Sequence, residues 1–168
     1  MEFIAVELSK GGWRVIRFKF SYMNQQRIHN RKKMPDKMQK LQECCTQQVK
    51  NQKTAEKIII GGKSLGGRVA SLIADDLAAN LKVIGCFFLG YPFHPIGKKE
   101  QKRIKHLKSM ITPTLILQGE RDAMGNKDEV DQYQLSPSVR LKWLIDGDHS
   151  FKHRKKAIVN ELDNLNQL

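Results

Sequence analysis

The run Gly62-Lys63-Ser64-Leu65-Gly66 sets a serine between two glycines, each two residues away. The apolar triplet Ile58-Ile59-Ile60 precedes it and an apolar-periodic segment follows, so the serine falls at a strand-to-helix turn. Such a turn holds the hydroxyl above the edge of a sheet, and small neighbours let strand and helix cross closely. Gly67 adds further room. The chemistry this permits is nucleophilic attack by Ser64, with the backbone amide of Leu65 offered to the oxyanion that forms. A serine nucleophile needs a base, and the base needs an acid to hold its tautomer. Leu115-Ile116-Leu117-Gln118-Gly119-Glu120-Arg121-Asp122 carries an acid just past an apolar run. Trp143-Leu144-Ile145-Asp146-Gly147-Asp148-His149 carries a histidine just past the next. The order serine, acid, histidine suits a general-base triad of Ser64, Asp122 and His149.

Other readings of these residues are weaker. A phosphate-binding Gly-x-x-x-x-Gly-Lys-Ser needs glycine where Lys57 stands, and Gly-x-Gly-x-x-Gly fails at Lys63 and Ser64. Glu120 lies nearer its strand and suits a structural contact. Asp146 and Asp148 sit too close to His149 in sequence for a productive carboxylate–imidazole bond. His29, His94, His106 and His153 fall in basic loops or helices and read as surface residues. The plain alternative is a glycine-rich turn with no chemistry, plus an acid and a histidine in exposed loops.

The elements that must position these residues follow from hydrophobic pattern. Phe3, Ile4, Val6 and Leu8 form a short helix ending at Gly11-Gly12. Residues 13–20, rich in β-branched and aromatic types, read as a strand, and residues 21–35 as an irregular surface excursion. Met38, Leu41, Cys45 and Val49 make one stripe on a helix over 36–53. Strands are expected at 57–60, 83–89, 114–118 and 139–145, and helices after Ser64, at 127–135 and at 155–165. The helix after Ser64 carries Val69, Leu72, Ile73 and Leu77 on one face. Residues 91–108 form a long basic connection with room for a short helix. Strands alternating with helices predict an α/β fold, a mostly parallel sheet with helices on both faces, in one domain over 1–168.

Composition narrows the class. The chain has 168 residues, 40% hydrophobic and 28% charged, and no apolar run of the ~20 residues that a membrane span needs. Met1-Glu2-Phe3-Ile4 lacks a basic, then apolar, leader, and three cysteines at 44, 45 and 86 suit neither a disulfide framework nor zinc. A cytoplasmic protein with a small-molecule substrate, no metal, no cofactor and no membrane partner is the expectation. The net charge is +13, but the basic residues are dispersed and no nucleic-acid motif or aromatic stacking pattern goes with them. A solvated basic surface without a specific nucleic-acid partner is the simpler reading.

Four motifs are distinctive together: Gly-Lys-Ser-Leu-Gly-Gly-Arg at 62–68, Leu-Gly-Tyr-Pro-Phe-His-Pro at 89–95, Thr-Pro-Thr-Leu-Ile-Leu-Gln-Gly-Glu-Arg-Asp at 112–122, and Asp-Gly-Asp-His-Ser-Phe at 146–151. They resemble the α/β-hydrolase branch of testis-expressed protein 30 and the hydrolase-like part of an NSL chromatin-complex subunit, distantly similar to dienelactone hydrolases. The resemblance covers essentially the whole chain. It implies a serine hydrolase with Ser64 as nucleophile, Asp122 as acid, His149 as base and no settled substrate. Relatives begin with strands upstream of Met1, one ending in a His-Gly-type loop that donates an oxyanion-hole amide. The expectation is therefore a fold lacking its N-terminal strands, with Leu65 the one remaining donor and an unpaired sheet edge open to self-association. Two functions compete: esterase-like acyl transfer to water, and a weakly active or inactive hydrolase fold kept as an interaction module.

Overall fold

The computed structural model describes residues 1–152, 154–162 and 165, in two compact units, Met1–Ala55 and Glu56–Leu168.

In the first unit, α1 (Glu2–Lys10) buries Ile4 and closes at Gly11, whose N–H donates to Glu7 O at 3.1 Å. Residues 13–20 form no strand, contrary to expectation. Their side chains are mostly exposed, Ile16 and Phe18 included, and Phe20 alone among them is buried. β-branched and aromatic content favours an extended chain, but a strand also needs a partner ladder. Residues 21–35 are not wholly irregular either, since α2 (Ser21–His29) forms there and ends at the left-handed Asn30. α2 buries no residue, so it carries no apolar stripe by which periodicity could find it. α3 (Met38–Lys50) buries Leu41, Cys45 and Val49, the stripe read from their spacing.

The second unit is built on four strands, β1 (Ile58–Lys63), β2 (Val83–Leu89), β3 (Thr114–Gly119) and β4 (Val139–Leu144), adjacent in chain order and all parallel. Every residue of β3 and all but Ile84 of β2 is buried, as a sheet covered on both faces requires. β4 alternates and β1 is half-buried, which marks them as the two edges of this sheet.

The helix expected after Ser64 is two helices, α4 (Leu65–Ser71) and α5 (Ala74–Asn80). At the break Leu72 and Ile73 make three-residue bonds to Val69 O and Ala70 O, and Ile73 sits at φ −123°. The Ser71 hydroxyl donates to Arg68 O at 2.8 Å, a side-chain bond that competes with the helix ladder. α5 is tied to the start of β3 by Asp75, which accepts from Thr112 N at 2.8 Å and Thr112 Oγ1 at 2.6 Å. α6 (Lys127–Val130) is shorter than expected, capped by Asn126 and followed by turns through Leu135. α7 (Lys155–Leu162) ends the described helices and buries Ile158.

Candidate active site

Four parallel strands put four chain exits on one sheet edge, and a residue of interest follows each: Ser64 after β1, Gly90 after β2, Asp122 after β3 and His149 after β4. Such an edge is where open α/β sheets place their ligands. Ser64 stands at φ 52°, ψ −117°, a strained backbone for a residue with a Cβ. Its N–H donates to Leu89 O at 2.9 Å, which anchors the turn to β2. A Cβ on Gly62 would come 2.7 Å from Gly66 C, and one on Gly67 would come 3.0 Å from Gly62 O. Gly66 itself has open space around the Cβ position. The crossing is therefore tight at Gly62 and Gly67, and the second glycine of the Gly-x-Ser-x-Gly pattern is not needed for clearance. Lys63 donates to Ser150 O at 3.3 Å, joining the serine turn to the loop that carries His149. Leu65 opens α4, so its amide has no carbonyl partner within the helix.

His149 Nε2 lies 2.9 Å from Ser64 Oγ and its Nδ1 lies 2.8 Å from Asp122 Oδ2. A carboxylate can only accept, so Nδ1–H donates to Asp122 and bare Nε2 accepts the Ser64 hydroxyl proton. Asp122 is wholly buried, whereas the imidazole keeps 26% of its surface open. The ring rests against the end of β2, where a Cβ on Gly90 would come within 3.2 Å of His149 Nδ1.

Asp122 is held from three sides. Its Oδ1 accepts from Met124 N at 2.8 Å, and its Oδ2 accepts from Gln118 Nε2 at 3.0 Å as well as from His149. Gln118, fully buried at the end of β3, also donates to Gly125 O at 3.1 Å and Tyr91 O at 3.3 Å, while its Oε1 accepts from Tyr91 N at 2.7 Å. One amide thus joins the acid loop to the turn after β2. Gln118 and Gly90 lie outside the serine, acid and histidine pattern of the sequence. A buried amide in an otherwise aliphatic strand was the available sign of the first.

The other acids near the site have structural partners. Glu120 Oε2 accepts from Asp146 N at 3.2 Å. Asp148 accepts from the hydroxyl and N–H of Ser150 and from Lys152 N, and the Ser150 hydroxyl bond comes first in holding its carboxyl below the usual range. These bonds turn the chain sharply after His149, with Phe151 buried at φ 57°.

Two histidines expected at the surface are not there. His94 is 1% exposed, with Nδ1 donating to Pro95 O at 2.7 Å and Nε2 2.9 Å from Glu129 Oε1. His106 is half-buried, 2.8 Å from Ser71 Oγ and 3.1 Å from the Tyr91 hydroxyl. Both lie in the irregular connection after β2, where periodicity is silent about burial. His29 is exposed, and His153 lies outside the described residues. Ser71 and His106 form a serine–histidine contact with no carboxylate hydrogen-bonded to the imidazole among the described residues, unlike Ser64 and His149. The Ser71 hydroxyl also lies 2.8 Å from Arg68 O and 3.2 Å from the Tyr91 hydroxyl, and the Tyr91 hydroxyl lies 3.2 Å from Arg103 O.

Among the described residues no cluster of three or more His, Cys, Asp or Glu is placed to hold a metal, and no helix is long and apolar enough to cross a membrane. Cys44, Cys45 and Cys86 form no disulfide, and burial, then the neighbouring Cys44, pushes the Cys45 thiol up to about 11.

A family described as an alpha/beta hydrolase domain matches residues 1–168. No curated protein matches the chain in sequence. Among solved structures, the chain is similar to an alpha/beta-superfamily protein from Xanthomonas campestris pv. campestris. That likeness has 14% identity and a TM-score of 0.70, over 99% of this chain and 88% of the other. An alpha-beta serine hydrolase homologue from Coxiella burnetii is similar at 20% identity and a TM-score of 0.70, over 96% of this chain and 73% of that one. An esterase domain from a Rhodothermus marinus protein is similar at 14% identity and a TM-score of 0.55, over 76% and 66%. At these identities the structural likeness is one of fold.

Proposed function

We propose that this chain, which belongs to the alpha/beta hydrolase domain family, is a serine hydrolase with esterase-like acyl-transfer chemistry. We place it in the branch of testis-expressed protein 30 and the NSL-complex subunit, on the four motifs at 62–68, 89–95, 112–122 and 146–151. The observation that carries the reading is the unbroken hydrogen-bonded run from Ser64 Oγ through His149 to Asp122 Oδ2, at 2.9 and 2.8 Å.

In this mechanism Ser64 Oγ attacks the carbonyl carbon of an ester as His149 Nε2 takes the hydroxyl proton. Asp122 holds the imidazole in the required tautomer and stabilises the imidazolium. The Leu65 amide donates to the oxyanion of the tetrahedral intermediate. Collapse of that intermediate breaks the bond to the alcohol, which leaves with the proton from His149 and frees an acyl-Ser64. Water then attacks the acyl carbon, its proton passing to His149, and Ser64 leaves with that proton restored. The turn at φ 52° presents the Ser64 hydroxyl to the base, 2.9 Å from His149 Nε2.

The test is turnover of a short-chain p-nitrophenyl ester by the wild type, Ser64→Ala and Asp122→Asn. Loss of roughly four orders of magnitude in Asp122→Asn and of more than that in Ser64→Ala, with unfolding midpoints unchanged in Ser64→Ala, is the expected result. Equal turnover in the wild type and Ser64→Ala would remove the proposal.

A further inference from the structure

Lys63 is the last residue of β1 and immediately precedes Ser64. Its backbone is fixed in the ladder opposite Leu89 of β2. Its side chain leaves the strand for the loop after β4. There Nζ donates to Ser150 O at 3.3 Å and lies over the Phe151 ring, 5.6 Å from the centroid. Both contacts fall on the two residues that follow His149. Among the described residues, no other hydrogen bond joins the serine turn to this loop except that of Ser64 to His149 itself.

The other bonds of the loop lead elsewhere. Ahead of His149, Gly147 O accepts from Arg121 N at 2.8 Å and Asp146 N donates to Glu120 Oε2 at 3.2 Å, which ties that side to the acid turn. Asp148 takes the N–H groups of Ser150 and Lys152 and the Ser150 hydroxyl, so these bonds shape the loop without attaching it to the serine. The buried Phe151 ring shares Gly90 with the imidazole: a Cβ there would come 3.2 Å from Phe151 Cε2 and 3.2 Å from His149 Nδ1. Where Phe151 sits therefore bears on where the imidazole sits. An ammonium is a compact donor on a flexible stem, able to serve a carbonyl and a ring face together. Proton transfer from Ser64 needs Nε2 within hydrogen-bond distance, and a misplacement of about 1 Å can cost about a hundredfold in rate.

We infer that Lys63 is a positioning residue for the base: it ties the loop that carries His149 to the serine turn and so sets the reach of the imidazole to Ser64. The inference rests on the Ser64–His149–Asp122 reading proposed above.

The experiment compares three variants. Lys63→Met keeps the stem and removes donor and charge, Lys63→Arg keeps both, and Lys57→Met removes an exposed charge just before the other end of β1. With p-nitrophenyl acetate, kcat should fall roughly tenfold in Lys63→Met while KM stays within about twofold. Lys63→Arg should recover most of that loss, and Lys57→Met should show none. Urea midpoints should stay close to that of the wild type, which separates a displaced base from a destabilised fold. Hydrogen exchange read by mass spectrometry should be faster over 148–152 in Lys63→Met than in the wild type. If Lys63→Met does not fold, Lys63→Gln, with a shorter neutral donor, carries the same expectation. Exchange also separates this inference from the hydrolase reading. A wild type without turnover would remove that reading, and faster exchange in Lys63→Met would then leave the hold of Lys63 on the loop standing. An unchanged kcat in Lys63→Met, a loss that Lys63→Arg does not recover, or exchange equal to that of the wild type would overturn the inference.

Discussion

Replacing Gln118 by leucine should loosen the acid without touching Ser64 or His149. The substitution keeps an aliphatic side chain of similar length in a wholly buried place and deletes four hydrogen bonds. Two of the acceptors keep another partner: Tyr91 O accepts from Phe93 N at 3.0 Å, and Asp122 Oδ2 keeps His149. Tyr91 N and Gly125 O lose the partners described above. Each buried backbone group left unpaired costs about 1–3 kcal/mol, so the pair implies about 2–6 kcal/mol. For a chain of this size that corresponds to a fall in Tm of roughly 4–24 °C. Urea unfolding followed by tryptophan fluorescence measures the free energy, and ester turnover against pH follows the site. With Asp122 held on one fewer side, turnover should drop and its acid limb should move, while fluorophosphonate still reaches Ser64. A free-energy loss below about 0.5 kcal/mol would show that Gln118 does not clamp the acid loop.

Further outcomes follow from other parts of the chain. Gly62→Ala should unfold at markedly lower urea, because its Cβ would press on backbone at 2.7 Å, whereas Gly66→Ala should match or exceed the wild type by up to ~1 kcal/mol. Asp75 is held below the usual carboxyl range: burial alone would raise it, but bonds from Thr112 and Ile111 outweigh that effect. A depressed folded-state pKa adds stability above the unfolded-state value near ~3.9 and loses it as pH falls through the folded one. The stability gap between wild type and Asp75→Asn should therefore be constant from about pH 5 to 8 and shrink below about pH 4. Binding to duplex DNA should be weak, indifferent to sequence and steeply reduced by salt, as fluorescence anisotropy at two salt concentrations would report.

Much of the sheet was legible because parallel strands covered on both faces leave continuous apolar runs between turns, as at Leu115-Ile116-Leu117, and even the half-buried edge strand β1 opens on Ile58-Ile59-Ile60. The same runs mark strand ends, and Ser64, Asp122 and His149 each follow one, within hydrogen-bond reach of one another. What the sequence hid depends on partners that pattern cannot supply. Residues 13–20 have strand composition without a ladder. α2 is a helix without a buried stripe. The break between α4 and α5 turns on a single hydroxyl, that of Ser71. His94 and His106 are less exposed than their sequence context implies, because long connections carry no periodicity and tertiary contacts with Glu129, Ser71 and Tyr91 decide their burial. The clearance at Gly66 also escapes a motif, which names a residue type but not the space around it.

Peptide mapping by mass spectrometry after reaction with a fluorophosphonate tests Ser64 as the nucleophile at the atom that reacts. One adduct is expected, on Ser64, absent in Ser64→Ala and slowed in His149→Ala. An adduct on Ser71 or Ser150, or labelling that persists in Ser64→Ala, would contradict it.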